Sequence, residues 1–142
     1  MFGVQWDLIL RYLESKGFSQ NDLNVNSKNL GNYINNYWTI TNLNSKYYET
    51  SWVLMPYGPK GNSDKGILLS TGASDKFSQQ GIYDLGGNVY EWTLEHSNNT
   101  TYPCVNRGGR YKSYGSGGPL SNRNYDEMSI SADFYGFRVT IF

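Results

Sequence analysis

Two acidic side chains flank a tight turn near the middle of the chain, and they are the first candidates for chemistry. Asp84 precedes the turn Gly86-Gly87-Asn88, and Glu91 follows it. The two glycines and the asparagine predict a turn because these residue types adopt positive φ at little cost. Two carboxylates held on either side of one turn could act in acid–base catalysis or could hold the turn itself.

The other residue types that usually carry chemistry are scarce. The chain contains one cysteine, Cys104, and one histidine, His96. A single cysteine excludes an intrachain disulfide and a CxxC metal or redox site. A lone histidine in a polar loop is typical of a solvated surface residue. The sequence has no G-x-S-x-G elbow and no Walker A loop, so neither of these catalytic motifs is present.

Charge and hydropathy exclude several classes of partner. The 142 residues include 12 basic and 12 acidic side chains, a net charge of zero. Nucleic-acid-binding surfaces are normally basic, so we expect no nucleic-acid partner. No segment reaches the roughly 20 apolar residues of a spanning helix, so we expect no membrane insertion. The start of this chain also lacks the basic region and apolar run of a signal peptide.

The clearest predicted element is a helix at the start of the chain that ends at Gly17. Its apolar residues recur at helical spacing and should pack on the main sheet; they are Trp6, Ile9, Leu10 and Leu13. Aromatic residues make up 16% of the chain and accompany sixteen glycines. This composition favours a turn-rich domain that contains β-structure, and the length favours one domain.

Strand predictions rest on short runs of β-branched and aromatic residues. Val89–Thr93 is predicted to be a strand that directly follows the central turn. A further strand is predicted at Arg107–Tyr111, and the last strand at Phe137–Phe142. Residues 94–106 and 112–130 lack such runs and are predicted to be loops.

Three motifs stand in a fixed order along the chain: Gly81–Thr93, Arg107-Gly-Gly-Arg-Tyr111 and Gly136-Phe-Arg-Val139. With Val4-Gln-Trp-Asp7 upstream, they resemble the formylglycine-generating-enzyme or sulfatase-modifying-factor family. The resemblance implies an α+β, C-type-lectin-like fold, in which an N-terminal helix packs on a small mixed or antiparallel sheet with long ordered loops. Because the family domain is usually longer at its N-terminus, residues 1–142 are predicted to be a single domain that represents its C-terminal portion.

The resemblance also names two chemistries whose residues are missing here. The formylglycine-generating oxidase binds copper through nearby cysteines after its Arg-Gly-Gly motif, but residues 110–123 contain none; Ser113 and Gly118 fall near those positions. Serine cannot replace thiolate as a soft metal ligand. The related iron-dependent sulfoxide synthase needs several histidines, and only His96 is present. We therefore expect neither copper nor iron and predict a non-catalytic ligand-binding or display module. An enzyme with divergent chemistry and a structural module of a surface or phage protein remain alternatives.

At the central turn, the resemblance implies a structural calcium ion. The matching ligands are the side chains of Asp84 and Glu91. The backbone carbonyls of Gly87 and Val89 complete the set. Hard oxygen ligands of this kind suit Ca²⁺. The alternative is a buried ion pair between Glu91 and an arginine, either Arg138 or Arg107.

The candidate ligand surface lies between Arg110 and Asp133. In the family, the corresponding surface forms the active site or the binding face. Aromatic anchors with adaptable polar neighbours suit a protein or glycan ligand. The candidate residues are Arg110, Tyr111, Tyr114, Asn122, Arg123, Asn124, Tyr125 and Asp126. The alternative is an inert, well-packed loop whose tyrosines cover the core.

Overall fold

A computed structural model describes residues 1–48, 51–54 and 66–139 of the chain. Helix α1 spans Gly3–Ser15, and shorter helical turns follow at Asn21–Val25, Lys28–Leu30 and Asp75–Phe77. The strands in chain order are β1 Gly31–Asn32, β2 Lys46–Tyr48, β3 Trp52–Leu54, β4 Leu68–Leu69, β5 Ser78–Gln79, β6 Ile82–Tyr83, β7 Gly86–Gly87, β8 Tyr90–His96, β9 Cys104–Arg107, β10 Arg123–Asp126 and β11 Tyr135–Phe137.

The main sheet has four strands in the order β10-β9-β8-β11. Strand β9 runs antiparallel to both β8 and β10, whereas β11 runs parallel to β8. A three-stranded sheet, β3-β2-β4, and the pairs β1–β7 and β5–β6 complete the β-structure of the described residues. One main helix with several small sheets confirms the predicted α+β class. No helix within the described ranges is long and apolar enough to cross a bilayer.

The N-terminal helix buries the apolar residues that its pattern predicted, but they pack against Leu85, Leu120 and other residues outside the strands of the main sheet. Trp6 and Leu13 are fully buried, and Ile9 and Leu10 lie half-buried against the same core cluster. The indole Nε1 of Trp6 donates a hydrogen bond to the carbonyl of Leu120 at 2.8 Å. This bond satisfies the buried N–H group and ties the helix to the loop before β10.

Several strand predictions need correction. The predicted strand at Arg107–Tyr111 is wrong, because β9 ends at Arg107 and the chain turns through Gly108 and Gly109 at φ values of 85° and 74°. The predicted loop at residues 94–106 contains the end of β8 and most of β9, and the one at residues 112–130 contains all of β10. Polar segments become strands here because pairing partners in the sheet outweigh their weak intrinsic preference.

The prediction of a strand at Val89–Thr93 is confirmed by β8, which begins one residue later and continues to His96. The last strand, predicted at Phe137–Phe142, overlaps β11 only at Phe137, because β11 spans Tyr135–Phe137 and residues 138 and 139 are not in a strand. Residues 140–142 lie outside the described part of the chain.

Candidate functional site

The central turn is held by Asn88, whose backbone lies in the left-handed region at φ 55°. Its side-chain Nδ2 donates to the Leu69 carbonyl at 2.9 Å, and its Oδ1 accepts from the Leu69 N–H at 3.1 Å. The same Oδ1 accepts from Asn32 Nδ2 at 3.0 Å. Gly87 also has positive φ, and a Cβ there would collide with the Asn32 carbonyl, so glycine is required. The turn therefore joins β1, β4 and β7.

Glu91 forms a buried ion pair with Arg138. The guanidinium contacts both carboxylate oxygens, with Nη2–Oε1 at 2.6 Å and Nε–Oε2 at 2.8 Å. Arg138 Nη2 also donates to the Tyr83 carbonyl at 2.9 Å. Burial raises the pKa of Glu91, although the hydrogen bonds from Arg138 act in the opposite direction. Of the two arginines proposed from the sequence, Arg138 is thus the partner of Glu91.

Asp84 is the second buried carboxylate of the turn, and no cationic side chain among the described residues lies within hydrogen-bonding distance of it. It is 5% exposed, and its Oδ2 accepts the Gly72 N–H at 2.6 Å. Its Oδ1 is buried and has no hydrogen-bond partner among the residues that the structure describes. Burial raises the pKa of Asp84 to about 6. A carboxylate oxygen left unpaired in this way is costly to ionise.

The four predicted calcium ligands do not come together as a complete site. Asp84, Val89 and Glu91 line one cleft of about 580 Å³, whereas Gly87 is buried in the β1–β7 pair. Calcium takes about six to eight oxygen ligands. Both Glu91 oxygens already accept from Arg138. Among the described residues, no three acidic, histidine or cysteine side chains are placed to hold a metal ion. The arrangement does not fit calcium as it stands, and calcium binding remains a prediction.

Strand β10 divides the candidate ligand surface between the two sides of the main sheet. Because side chains alternate along a strand, Arg123 and Tyr125 face one side while Asn124 and Asp126 face the other. Arg123 lies on the side of helix α1, since its Nη2 contacts Asp7 Oδ2 at 2.6 Å. We call this the helix side, and the opposite side the open face. The eight predicted residues therefore do not form one surface.

A charged network occupies the helix side. Arg107 is fully buried; its Nη2 contacts Asp7 Oδ1 at 2.5 Å, and its Nε lies 3.5 Å from Glu95 Oε2. Arg123 completes the set through Glu95 Oε1 at 2.8 Å. Burial lowers the pKa of Arg107, whereas the two carboxylates raise it. This helix-side network, made of Asp7, Glu95, Arg107 and Arg123, ties the helix to three strands and gives Arg107 a structural role.

The open face carries an aromatic cluster that the sequence analysis missed. Direct cross-strand pairing places Trp92 beside Asn106 and Tyr135 beside Tyr90 on this side of the sheet. The Trp92 and Tyr135 rings stack at 4.7 Å with an interplanar angle of 15°. Both rings are half-buried. The signal was present in the sequence, because alternation along Val89–Thr93 puts residues 90 and 92 on the same face.

Asp126 is the polar centre of the open face. Its Oδ2 accepts hydrogen bonds from the Tyr135 hydroxyl at 2.6 Å, from Asn106 Nδ2 at 2.8 Å and from Asn124 Nδ2 at 3.2 Å. These donors come from β11, β9 and β10, so one oxygen links three strands. Burial and the Asp126 carboxylate together raise the pKa of Tyr135 well above its usual range.

Arg110 lies at the edge of the open face. Its guanidinium carbon is 4.0 Å from the centre of the Phe134 ring and 5.7 Å from that of Tyr90. Neighbouring Tyr111 is buried and donates through its hydroxyl to Asp133 at 2.8 Å, so it contributes to packing. Tyr114 is 60% exposed in the following loop. Asn122 accepts a long hydrogen bond from Arg107 through its carbonyl. Among the eight candidates, Arg110, Asn124 and Asp126 therefore belong to the open face.

His96 and Cys104 face each other as cross-strand partners, and Asp126 pairs with Cys104 from the other side. This row brings a thiol, an imidazole and a carboxylate onto neighbouring strands. Within the described ranges, however, no hydrogen bond joins any two of these side chains. A nucleophile and its base normally lie within hydrogen-bonding reach of each other, so the row does not support nucleophilic catalysis.

Comparison with protein-family models gives one match that covers most of the chain. The model described as "Sulfatase-modifying factor enzyme 1-like domain" matches residues 10–141. Comparison with curated proteins and with solved structures gives no match.

Proposed function

The chain belongs to the sulfatase-modifying factor enzyme 1-like domain family, and from that premise we propose that it is a non-catalytic member that binds a protein or glycan ligand through its open face. The absence of a cysteine pair in residues 110–123 and the single histidine support the non-catalytic part of the proposal. Copper and iron chemistry of the kind known in the family would require those residues.

The observation that carries the binding role is the partly accessible aromatic cluster of the open face. Trp92 and Tyr135 are half-buried, so their rings are fixed by stacking yet still reach solvent. Rigid aromatic side chains provide contact area at a low cost in conformational entropy. Asp126 stands beside them and is held in place by three donors. Pre-positioned apolar and polar groups of this kind are typical of binding sites.

That Tyr114 and Tyr125 act as ligand anchors remains a prediction, which the array experiment below also tests. Tyr125 is exposed but lies on the helix side, beside Arg123. Tyr114 is exposed in the loop after β9. Neither ring stacks on the aromatic cluster, so we give Trp92 and Tyr135 the anchoring role.

Screening the purified chain on protein and glycan arrays tests the proposal. Once a ligand is found, Trp92→Ala should abolish binding, whereas Tyr125→Ala should leave it nearly unchanged. Tyr135→Phe keeps the ring but removes the hydroxyl that donates to Asp126, and it should weaken binding without loss of fold. Melting temperatures of all variants show whether a lost signal reflects binding or unfolding.

Three results would contradict the proposal. Absence of any ligand on both arrays would argue against a binding role. Loss of binding in Tyr125→Ala or Tyr114→Ala, with normal binding by Trp92→Ala, would place the site away from the open face. Turnover of a bound ligand would favour the alternative of an enzyme with divergent chemistry.

A further inference from the structure

Arg110 differs from the arginines in and beside the main sheet in having no acidic partner among the described residues. Arg107 and Arg123 contact Asp7 and Glu95, and Arg138 contacts Glu91. In the part of the chain that the structure describes, the Arg110 side chain makes no ion pair and no hydrogen bond, and its Nε is buried without a partner. An unpaired guanidinium in a half-buried position is expensive unless something completes its hydrogen bonds.

Two aromatic rings position the Arg110 guanidinium. The guanidinium lies over Phe134 at 4.0 Å and also faces the Tyr90 ring. Stacking uses the face of the guanidinium and leaves donors at its edge, which is the geometry that binds a carboxylate through two parallel hydrogen bonds. Phe134 packs against Tyr135 at 4.8 Å, and Tyr135 stacks on Trp92 at 4.7 Å. The cation is therefore continuous with the aromatic cluster.

A second polar group stands on the other side of Tyr135. All three hydrogen bonds accepted by Asp126 go to its Oδ2; within the described residues its Oδ1 accepts none, and the side chain is half-buried. A carboxylate oxygen in this position can accept hydrogen bonds from ligand hydroxyl groups. Asp133, the other acid at this edge, accepts a hydrogen bond from the Tyr111 hydroxyl and forms an ion pair with Lys112 at 3.7 Å.

Building on the proposed function, we propose that the open face binds an acidic sugar, with its carboxylate on Arg110, its hydroxyls on Asp126 and the apolar face of its ring on Trp92 and Tyr135. One carboxylate beside several hydroxyls on a sugar ring with an apolar C–H face matches one cation without a described acidic partner, one acceptor and one aromatic platform. An acidic peptide would satisfy Arg110 but offers no ring of hydroxyl donors for Asp126. An acidic sugar is therefore the better match for all three features together.

The test is a glycan array that carries glycans ending in glucuronic, galacturonic or sialic acid beside their neutral counterparts, including methyl esters of the same acids. The ester removes the charge without changing the ring. The wild-type chain should bind at least one acid about tenfold or more tightly than its ester. Arg110→Gln should bind the two equally, and Arg110→Lys should keep part of the preference. Arg11→Gln, which changes an exposed arginine on the helix, is the matched control.

The outcomes separate this inference from the proposed function. If an ester or a neutral glycan binds as tightly as the acid, or if Arg110→Gln keeps the preference, the acidic-sugar inference is overturned, while loss of binding in Trp92→Ala would still uphold the open face as the site. If no acidic glycan binds but a protein ligand does so in a Trp92-dependent way, the inference is again overturned and the proposed function stands. If ligand binding does not depend on Trp92, both fall.

Discussion

The two sides of the main sheet use their arginines in opposite ways. On the helix side, Arg107 is fully buried and paired with two carboxylates, and it also donates to the Ser121 carbonyl at 2.8 Å. On the open face, Arg110 is half-buried, lies against aromatic rings and makes no ion pair within the described ranges. The first arginine therefore holds the fold together, while the second has no described acid on its guanidinium.

Of the variants considered, Arg107→Ala should lower the free energy of unfolding most. Removing one partner of a buried ion pair typically costs about 3 to 5 kcal/mol. Asp7 and Glu95 would keep Arg123 as a cationic partner, but the truncation would also leave a cavity where a fully buried side chain stood and would remove the donor to the Ser121 carbonyl. Urea unfolding should show a loss of this size. Arg11→Ala is the control, since its ion pair with Glu14 is solvent-exposed and should contribute little to stability. A loss for Arg107→Ala no larger than the control would contradict the structural role.

A somewhat smaller loss is expected for Arg138→Ala. Glu91 is 6% exposed and would be left without its cation, which should cost about 3 kcal/mol. Adding Glu91→Gln to this variant removes the stranded charge and should recover part of the loss, because the two side chains act as a pair. A double-mutant cycle by chemical denaturation measures the coupling. Strictly additive losses would show that the two residues do not interact in solution.

Asp84 tests what a buried acid contributes to stability when no described cation is hydrogen-bonded to it. Its pKa of about 6 lies above the usual 3.8, so the folded state holds the proton more tightly than the unfolded state. Stability from Asp84 is therefore present below pH 4 and is lost as pH rises through 6. Asp84→Asn should match the wild type near pH 4 and exceed its unfolding free energy at pH 7 by about 2 kcal/mol.

The measurement is the unfolding free energy of Asp84→Asn and of the wild type between pH 4 and pH 7. Asparagine keeps an oxygen that can accept the Gly72 N–H, so the variant preserves that hydrogen bond. The exposed Asp75→Asn serves as the matched control and should run parallel to the wild type. A difference between Asp84→Asn and the wild type that does not grow with pH would contradict the raised pKa.

Arg110→Gln should have only a small effect on stability. Cation–π contacts at accessible sites are worth about 0.5 to 1 kcal/mol, and no ion pair with a described residue is lost. Thermal unfolding beside Arg107→Ala gives the direct comparison between the two sides of the sheet. If Arg110→Gln destabilises the chain as much as Arg107→Ala, Arg110 is part of the structural framework and the contrast fails.

The smallest expected effect concerns calcium. Because both Glu91 oxygens are bound by Arg138, we expect the same melting temperature in millimolar calcium and in EDTA. A rise that depends on calcium would mean that the ion displaces Arg138, and it would establish the site predicted at Asp84, Gly87, Val89 and Glu91. Repeating the measurement with Asp84→Asn would then show whether the unpaired Oδ1 is a ligand.

Structural features that depend on residues close together in the chain could be predicted from the sequence. The N-terminal helix follows from the spacing of Trp6 and Leu13, and β8 from the run of β-branched and aromatic residues after the turn. Strands β9 and β10 were missed because Cys104–Arg107 and Arg123–Asp126 are mostly polar and lack an apolar alternation. Their hydrogen-bonding partners, rather than their own preference, make them strands.

Some features of the candidate site could likewise be predicted from the sequence, whereas others required the structure. Glu91 and an arginine partner were foreseeable, but choosing Arg138 over Arg107 required the parallel pairing of β11 with β8. Three of the eight candidates predicted after Gly108-Gly109 lie on the open face: Arg110, Asn124 and Asp126. Their separation from Arg123 and Tyr125 could not be read from composition, because a strand sends alternate side chains to opposite sides of a sheet.

The identity and order of the residues are enough to show the family, the turn between two acids and the absence of the cysteines and histidines that the family's known chemistries need. Which charges are paired, and which arginine has no acidic partner among the described residues, follows from the three-dimensional arrangement. Those outcomes depend on strand register between residues far apart in the chain, and a shift of one residue would exchange the helix side for the open face.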